Sequence, residues 1–559
     1  MFPRRPASIG AILTGLAIPL SVFATEVEGE VAGLSNGNLT LIGWIAVGAV
    51  VGCLLARFWL GICNQVLLDH ESIASIQKRK PYFPRSRMVF GTVIATGAVF
   101  IFSLRVLRDV APFDAIPSST ILLVFLIVGV VCVILQMKFR WSRDYIFAAL
   151  IGTSLAFGLL GLTRVLLHTD VHQDPFIMAL GIVCAIVLWR FLFGPWTPRI
   201  KAVVLGTFVL WIGIHFVFKE NPDERLAHLI AAGVALIPAV VWCWFFLEYH
   251  KQRWSMVLLM FFAGMLSTAP ILFYDALVRR GVELQFFLFK IVPQNFSSVS
   301  NAFVSGDLMG VSGIQSTIIA MFISFLIVGL IEEFSKLWVL KKSGKSFFSS
   351  IDDVIQMAVI VAIGFAFAEN VLNPSYFLGF VREFLTEAEE PQWWAFIGNV
   401  SGRAILTTMV HIVASGVMGY FLGLAIFAES YLGDVRRKGR VPIFAGLLRL
   451  IFRFPEKRVF RVQMILIGLT LATFLHGLFN FMVTLPDMLP NRPETFGDLL
   501  KLSESNFLSG IPILLLPSFL YIVGGFWLFT ALFYRQESVK ERGRLVTTDT
   551  FVREKMAEA

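Results

Sequence analysis

Apolar residues occur along this chain in long runs, unlike the alternating or one-sided patterns of soluble strands and helices. A window of about 20 residues, the length of helix that crosses roughly 30 Å of hydrocarbon, identifies about thirteen runs. They lie at 40–62, 88–106, 119–138, 146–166, 176–193, 201–218, 227–247, 255–274, 314–340, 354–373, 404–427, 463–484 and 511–533. The pattern predicts an all-α fold, a polytopic transmembrane helical bundle.

A shorter segment, residues 1–24, precedes these runs and has the layout of a secretory signal peptide. Arg4 and Arg5 come before an apolar stretch, and the small residue Ala24 stands before an acidic segment. An uncleaved signal anchor is the alternative.

Composition and charge narrow the class of protein further. Hydrophobic residues make up 57% of the chain and charged residues 15%, with a mean hydropathy of +0.77, which excludes a water-soluble globular protein. The net charge of +9 comes mostly from short loops between apolar runs, where basic residues orient helices, so no nucleic-acid partner is expected. The loop charges predict a multi-pass protein of the cell membrane, with the mature amino end outside and a basic tail, 536–559, in the cytoplasm.

Ionisable residues inside the apolar runs are scarce before residue 250 and cluster after it. We therefore divide the chain into an eight-span region of unknown role, 40–247, and a second membrane domain, 250–535. A charged side chain at membrane depth costs a few kcal/mol or more, so such residues are usually paired, line a cavity or serve function.

The ninth run contains two adjacent glutamates, Glu332 and Glu333, followed by Lys336. On a helix the lysine lies three and four residues away and reaches back toward either carboxylate. It neutralises one glutamate and leaves the other without a local partner.

The next three runs contribute further polar groups on successive helices. In chain order these are Phe365, Glu369 and Asn370, then Arg403 and His411, then His476 and Asn480. Convergence on one interior cavity is the economical explanation. Helix geometry argues against this convergence. At 1.5 Å per residue, Glu332 lies on the order of 13 Å from the inner end of its helix and Glu369 on the order of 24 Å from the inner end of its own, so straight parallel helices would hold them at different depths.

Such a cavity permits hydrolysis. Imidazole and carboxylate bind Zn²⁺ or a similar divalent ion, which lowers the pKa of a bound water, while a second carboxylate serves as general base. An amide such as that of Asn480 can donate to a tetrahedral oxyanion. Without a metal, the paired glutamates can share one proton. The alternatives without catalysis are that the histidines only pack inside the bundle and that the glutamate–lysine ion pair only fixes the helix register.

Four segments match the motifs of a known family. They are "EEFSK" at 332–336, "FAFAEN" at 365–370, His411 following Arg403, and "HGLFN" at 476–480. These resemble the EExxK, FxxxEN, H and HxxxN signatures of the PrsW-family intramembrane proteases, within the wider superfamily of CAAX prenyl proteases and bacteriocin-processing enzymes. The resemblance covers roughly residues 250–535.

The resemblance implies cleavage of membrane proteins, including an anti-sigma factor, within or near the bilayer. By position it makes Glu332 the water-activating base, Glu333 its partner and Asn480 the oxyanion donor. It makes Glu369, His411 and His476 the metal-binding or catalytic groups, with zinc as the expected metal. Lys336, Phe365, Asn370 and Arg403 are then supporting residues.

Two functions of other classes use the same residues. Buried Glu, Lys and His also form proton relays in transporters, so a proton-coupled transporter is one alternative. A catalytically inactive membrane sensor is the other. A rhomboid-type serine mechanism at Gly310–Gly313 is a weaker candidate, because "GVSG" lies in a Gly/Ser-rich stretch.

Overall fold

The computed structural model describes the second half of the chain almost continuously and the first half in fragments. The described residues are 145, 148–149, 151–153, 155–156, 159–160, 192–193, 196–218, 222–272, 274, 284–286, 289–291, 314–373, 376–386, 393–428, 432, 455–489, 492–503 and 505–534. The chain divides into two compact units, 1–62 with 161–191 and 63–160 with 192–559, and every described residue belongs to the second unit. The signal-like segment 1–24, most of the predicted spans before 201, the "GVSG" segment and the tail 536–559 lie outside the described residues.

Helices form nearly all of the described structure. In chain order they are α1 (Pro198–Phe218), α2 (Pro222–Tyr249), α3 (Trp254–Leu266), α4 (Ile314–Gly344), α5 (Ile351–Leu372), α6 (Phe377–Thr386), α7 (Trp393–Ser401), a π-helix (Gly402–Thr407), α8 (Thr408–Ile426), α9 (Glu456–Met488), α10 (Phe496–Leu500) and α11 (Leu515–Tyr534). Two short strands, β1 (Leu284–Phe286) and β2 (Phe289–Ile291), pair antiparallel with Leu284 opposite Ile291. The structure is therefore mostly helical, as predicted, with one small hairpin that the apolar pattern did not reveal.

Each predicted run from 201–218 onward coincides with a helix. Seven of the described helical segments are long and apolar enough to cross a membrane. Helix α4, which carries the two glutamates and the lysine, is not among the seven. The count of thirteen spans stays a prediction.

Helix α5 forms the centre of the described bundle and is buried along almost its whole length. It packs against α3 and α8, while α9 packs between α8 and α4. Glycines allow α3 and α5 to approach very closely. A Cβ at Gly364 would lie 2.9 Å from the carbonyl carbon of Phe261, and a Cβ at Gly264 would lie 2.9 Å from the carbonyl carbon of Val361. Small residues that let helix backbones approach are the usual basis of packing in a membrane, where hydrophobic burial offers little drive.

The start of α5 is held by a dense hydrogen-bond cluster around Asp353. Ser350 and Asp353 form a reciprocal capping box, and Asp353 also accepts from Ser349. His250 lies 2.7 Å from the same carboxylate, and Gln252 donates to it. The junction between α2 and α3 is thereby tied to the first turn of α5, where a carboxylate at the N3 position is favoured by the positive end of the helix dipole.

The π-helix interrupts the passage from α7 to α8. Trp242 of α2 donates its indole N–H to the carbonyl of Ala404 over 2.9 Å, and Thr408 donates its hydroxyl to the carbonyl of Arg403 over 3.2 Å. A π-turn contains one residue more than the α-helical turn it replaces, and nothing in the local sequence predicted it.

Candidate active site

Four helices bring the predicted polar residues together inside the bundle. Helix α4 supplies Glu332, Glu333 and Lys336, α5 supplies Glu369, α8 supplies His411 and α9 supplies His476. All six side chains are buried, with Glu333 and Lys336 fully inaccessible. The convergence expected from the sequence is present in the structure.

Glycine again sets the distance between two of these helices. A Cβ at Gly329, one turn before the glutamates, would lie 3.2 Å from the carbonyl oxygen of Thr473, and one at Gly477 would lie 3.1 Å from that of Phe325. Helices α4 and α9 therefore approach backbone to backbone beside His476. This is why a glutamate and an imidazole from separate helices can touch.

Glu332 faces both imidazoles. Its Oε2 atom lies 3.8 Å from Nδ1 of His411 and 3.6 Å from Nε2 of His476. The three ligand atoms all lie within 4.8 Å of one another. The two rings are nearly perpendicular, with centroids 4.7 Å apart.

The opposite nitrogen of each imidazole contacts a different carboxylate. His476 Nδ1 lies 3.1 Å from Oε1 of Glu333, and His411 Nε2 lies 3.1 Å from Oε2 of Glu369. A carboxylate on the far nitrogen fixes the tautomer and the orientation of an imidazole and makes its other nitrogen more basic.

The two adjacent glutamates have different surroundings. Glu333 accepts from Lys336 over 2.7 Å and from the hydroxyl of Ser415 over 2.9 Å, in addition to its contact with His476. Glu332 Oε2 is buried and has no hydrogen-bond partner, although the Lys336 ammonium lies 3.6 Å away. Lys336 thus forms its short, hydrogen-bonded ion pair with Glu333, and its contact with Glu332 is longer.

Phe365 shapes the space around Lys336. The ammonium lies 3.9 Å from the centroid of the Phe365 ring, a cation–π contact, and 3.0 Å from Nδ1 of His411. The Phe365 and His411 rings are 5.1 Å apart. This phenylalanine therefore packs against both Lys336 and His411, and its supporting role stays a prediction.

Arg403 is a positively charged group beside Glu369, on the same carboxylate oxygen that His411 contacts. Its Nε donates to Oδ1 of Asn370 over 2.8 Å, and its Nη2 lies 3.4 Å from Oε2 of Glu369. Its guanidinium stacks on the ring of Tyr376 at 3.2 Å. A chain of contacts therefore runs from Arg403 through Glu369 to His411.

Asn480 is placed differently from the other predicted residues. It lies one turn after His476 on α9 and is half-buried, but none of the described hydrogen bonds of the site comes from its amide. Its role as oxyanion donor stays a prediction.

Two residues of the site were missed by sequence reasoning. Ser415 lies one turn after His411 on the same helix, and that spacing could have indicated it. Tyr376 lies in the connection between α5 and α6 and carries no local signal that would associate it with Arg403.

The donor set fits a divalent ion. A carboxylate and two imidazoles are the ligands of one class of catalytic zinc site, in which water takes a fourth position. Ligand atoms about 2.1 Å from a tetrahedral ion lie about 3.4 Å apart. The distances around Glu332 Oε2 are 3.6 and 3.8 Å, and the three ligand atoms all lie within 4.8 Å of one another, so an ion would draw them slightly closer. Glu332 Oε2 is buried and accepts no hydrogen bond, and a bound cation would satisfy it more closely than the Lys336 ammonium 3.6 Å away.

The fold and the site together define a multi-pass membrane protein with a buried carboxylate–imidazole centre. Residues 252–497 match the family described as PrsW family intramembrane metalloprotease. The match confirms, over these residues, the resemblance seen in the four motifs, and it supports an intramembrane protease. No curated protein and no solved structure matches the chain. Helices α1, α2 and α11 lie outside the matched segment.

Proposed function

We propose that this protein is an intramembrane protease that hydrolyses peptide bonds of membrane proteins at a centre formed by Glu332, His411 and His476. One observation carries the proposal: the Glu332 Oε2 atom is buried without a hydrogen-bond donor between two imidazoles. Both imidazoles are oriented by other carboxylates. Such an arrangement is suited to handling a water molecule in a medium that otherwise excludes water.

Glu332, His411 and His476 are the residues that would hold a divalent ion, and the donor set is suited to zinc. A bound ion would supply an acidified water and polarisation of the scissile carbonyl. Glu369 is then a residue that orients His411 and not itself a ligand, because it contacts the nitrogen opposite to the one that faces Glu332. This differs from the ligand set that the family resemblance implied.

Glu332 is the carboxylate that we assign to the attacking water, because its buried Oε2 accepts no hydrogen bond. A carboxylate positioned in this way accepts a proton from an attacking water. Glu333 cannot do this as readily, because its oxygens already accept from Lys336, Ser415 and His476. Ion binding and proton transfer would use the same Glu332 oxygen. Metal content and cleavage activity must therefore be measured on the same samples to distinguish a ligand role of Glu332 from a general-base role.

The remaining groups complete the proposed chemistry. Glu333 fixes His476 and Glu369 fixes His411, while Lys336 offsets negative charge that the membrane interior would otherwise disfavour. Asn480, half-buried one turn beyond His476, is the proposed donor to the oxyanion. A membrane-anchored anti-sigma factor is the substrate type that the family resemblance suggests.

The test is cleavage of a panel of tagged single-span membrane segments by the full chain in liposomes. Glu332→Gln should lower the rate at least about 100-fold, since general-base catalysis contributes that much or more. Glu383→Gln, at an exposed position on α6, is the matched control and should keep the wild-type rate. Wild-type cleavage by Glu332→Gln would contradict the proposal.

Metal content identifies the kind of protease. About one divalent ion per chain, lost in a His411→Ala, His476→Ala double variant that remains folded, would support a metalloprotease. Cleavage that persists without any ion would assign Glu332 as a metal-free base. If liposomes that contain the wild-type protein conduct protons but cleave no substrate, the proton-coupled transporter is favoured instead.

A further inference from the structure

Helix α2 lies before the segment that matches the protease family, yet it contacts the elements that support the site. At its start Glu224 pairs with Arg382 of α6 at 2.7 Å. Further along, Trp242 donates to the carbonyl of Ala404 in the π-helix. At the junction with α3, His250 contacts Asp353 of α5. These are polar contacts with three separate elements of the matched segment.

Apolar packing on α2 follows the same face. Ala227, Ala231 and Ala235, four residues apart, are buried against α6 and against Ala404. Alanines at this spacing let a membrane helix approach its neighbours closely. This face of α2 therefore contacts the π-helix through apolar packing as well as through the Trp242 hydrogen bond.

The π-helix determines the direction in which Arg403 points. A π-turn holds one extra residue, and one residue corresponds to about 100° of rotation around a helix axis. Arg403 lies in this turn, whereas His411 lies in the regular helix α8. The π-turn sets the angle between the two side chains, which meet at Glu369.

We propose that Trp242 is a positioning residue, whose indole N–H on the Ala404 carbonyl holds the π-turn in the register that directs Arg403 to Glu369 and Asn370. The region before residue 252 is then a structural part of the site, through α2. The effect on cleavage rests on the proposed function. The effect on the π-turn does not.

The test uses Trp242→Phe, which keeps an aromatic ring against Phe246 and Phe526 but removes the N–H donor. Trp244→Phe is the matched control, on the same helix with a 63% exposed side chain. Hydrogen exchange of the backbone amides at 402–408 should become about five- to ten-fold faster in Trp242→Phe, as loss of one hydrogen bond implies, and should not change in the control. Unchanged exchange in Trp242→Phe would overturn the proposal.

A double-variant cycle examines whether Trp242 acts through Arg403. Trp242→Phe and Arg403→Gln should each slow cleavage in liposomes, and Trp242→Phe should add nothing in the Arg403→Gln background. Independent, multiplying losses would overturn the positioning role. Trp242→His, which restores an N–H donor, should recover part of the exchange protection, and its failure to do so would also count against the hydrogen bond. If the wild type cleaves nothing, the proposed function fails while the exchange measurement still decides this inference.

Discussion

The crossing of α3 and α5 provides the sharpest test of how the bundle is packed. We predict that Gly364→Ala destabilises the protein. The new Cβ would lie 2.9 Å from the carbonyl carbon of Phe261 and closer to its oxygen, whereas ordinary contacts are 3.4–4 Å. The helices must separate by at least about half an ångström, and overpacking of this kind costs about 1–3 kcal/mol.

Gly264→Ala makes the reciprocal clash at the same crossing, with Val361. Once one alanine has separated the helices, the second meets less resistance. The double variant should therefore lose clearly less stability than the sum of the single losses, as coupled neighbours do.

The assay is the free energy of unfolding or the thermal midpoint of the full chain in detergent. Gly233→Ala on α2, where a Cβ meets nothing within 4 Å, is the control and should stabilise by roughly 0.5–1 kcal/mol through helix propensity. The reasoning is refuted if Gly364→Ala is as stable as Gly233→Ala. Strict additivity of the two α3–α5 variants would equally refute it.

Two further predictions concern other parts of the molecule. Ser415→Ala removes a fully buried hydroxyl that donates to Glu333 and should lower the free energy of unfolding by about 1.5–3 kcal/mol. The control is Ser518→Ala, which removes an exposed hydroxyl that donates to the Leu514 carbonyl and should change the free energy of unfolding by under about 0.5 kcal/mol. Equal losses of stability for the two variants in detergent melts would contradict this. Partial desolvation and the positive charges of Arg461, Lys341 and Lys342 lower the pKa of Lys345, an exposed residue that follows the end of α4. A larger fraction of the Lys345 amine is therefore neutral at pH 8 than for a lysine with the ordinary pKa. Lys345 should react with acetic anhydride at pH 8 faster than Lys501, which is also exposed, as measured by mass spectrometry. Slower reaction of Lys345 would refute this.

The sequence by itself determined the helices and the pairings within one helix. Long apolar runs marked each described span, and the spacing of Glu332, Glu333 and Lys336 predicted an ion pair that satisfies one glutamate. These properties are local, because the rise and the turn of a helix fix which side chains share a face. Apart from Asn480, the residues that the four motifs named meet in the site.

Only the tertiary structure decided how those residues divide their contacts. Straight parallel helices would keep Glu332 and Glu369 at different depths, but His411 lies between them and presents one nitrogen to each. The family resemblance placed Glu369 with the two histidines as metal-binding groups. In the structure Glu332 lies near both imidazoles, and Glu369 contacts His411 on the opposite nitrogen. The sequence patterns did not lead to a prediction of the π-turn or of the contacts made by Ser415, Tyr376 and Trp242. The depth and rotation of each helix are set by close packing with its neighbours at glycines such as Gly329 and Gly477, and hydropathy along a single run does not encode them.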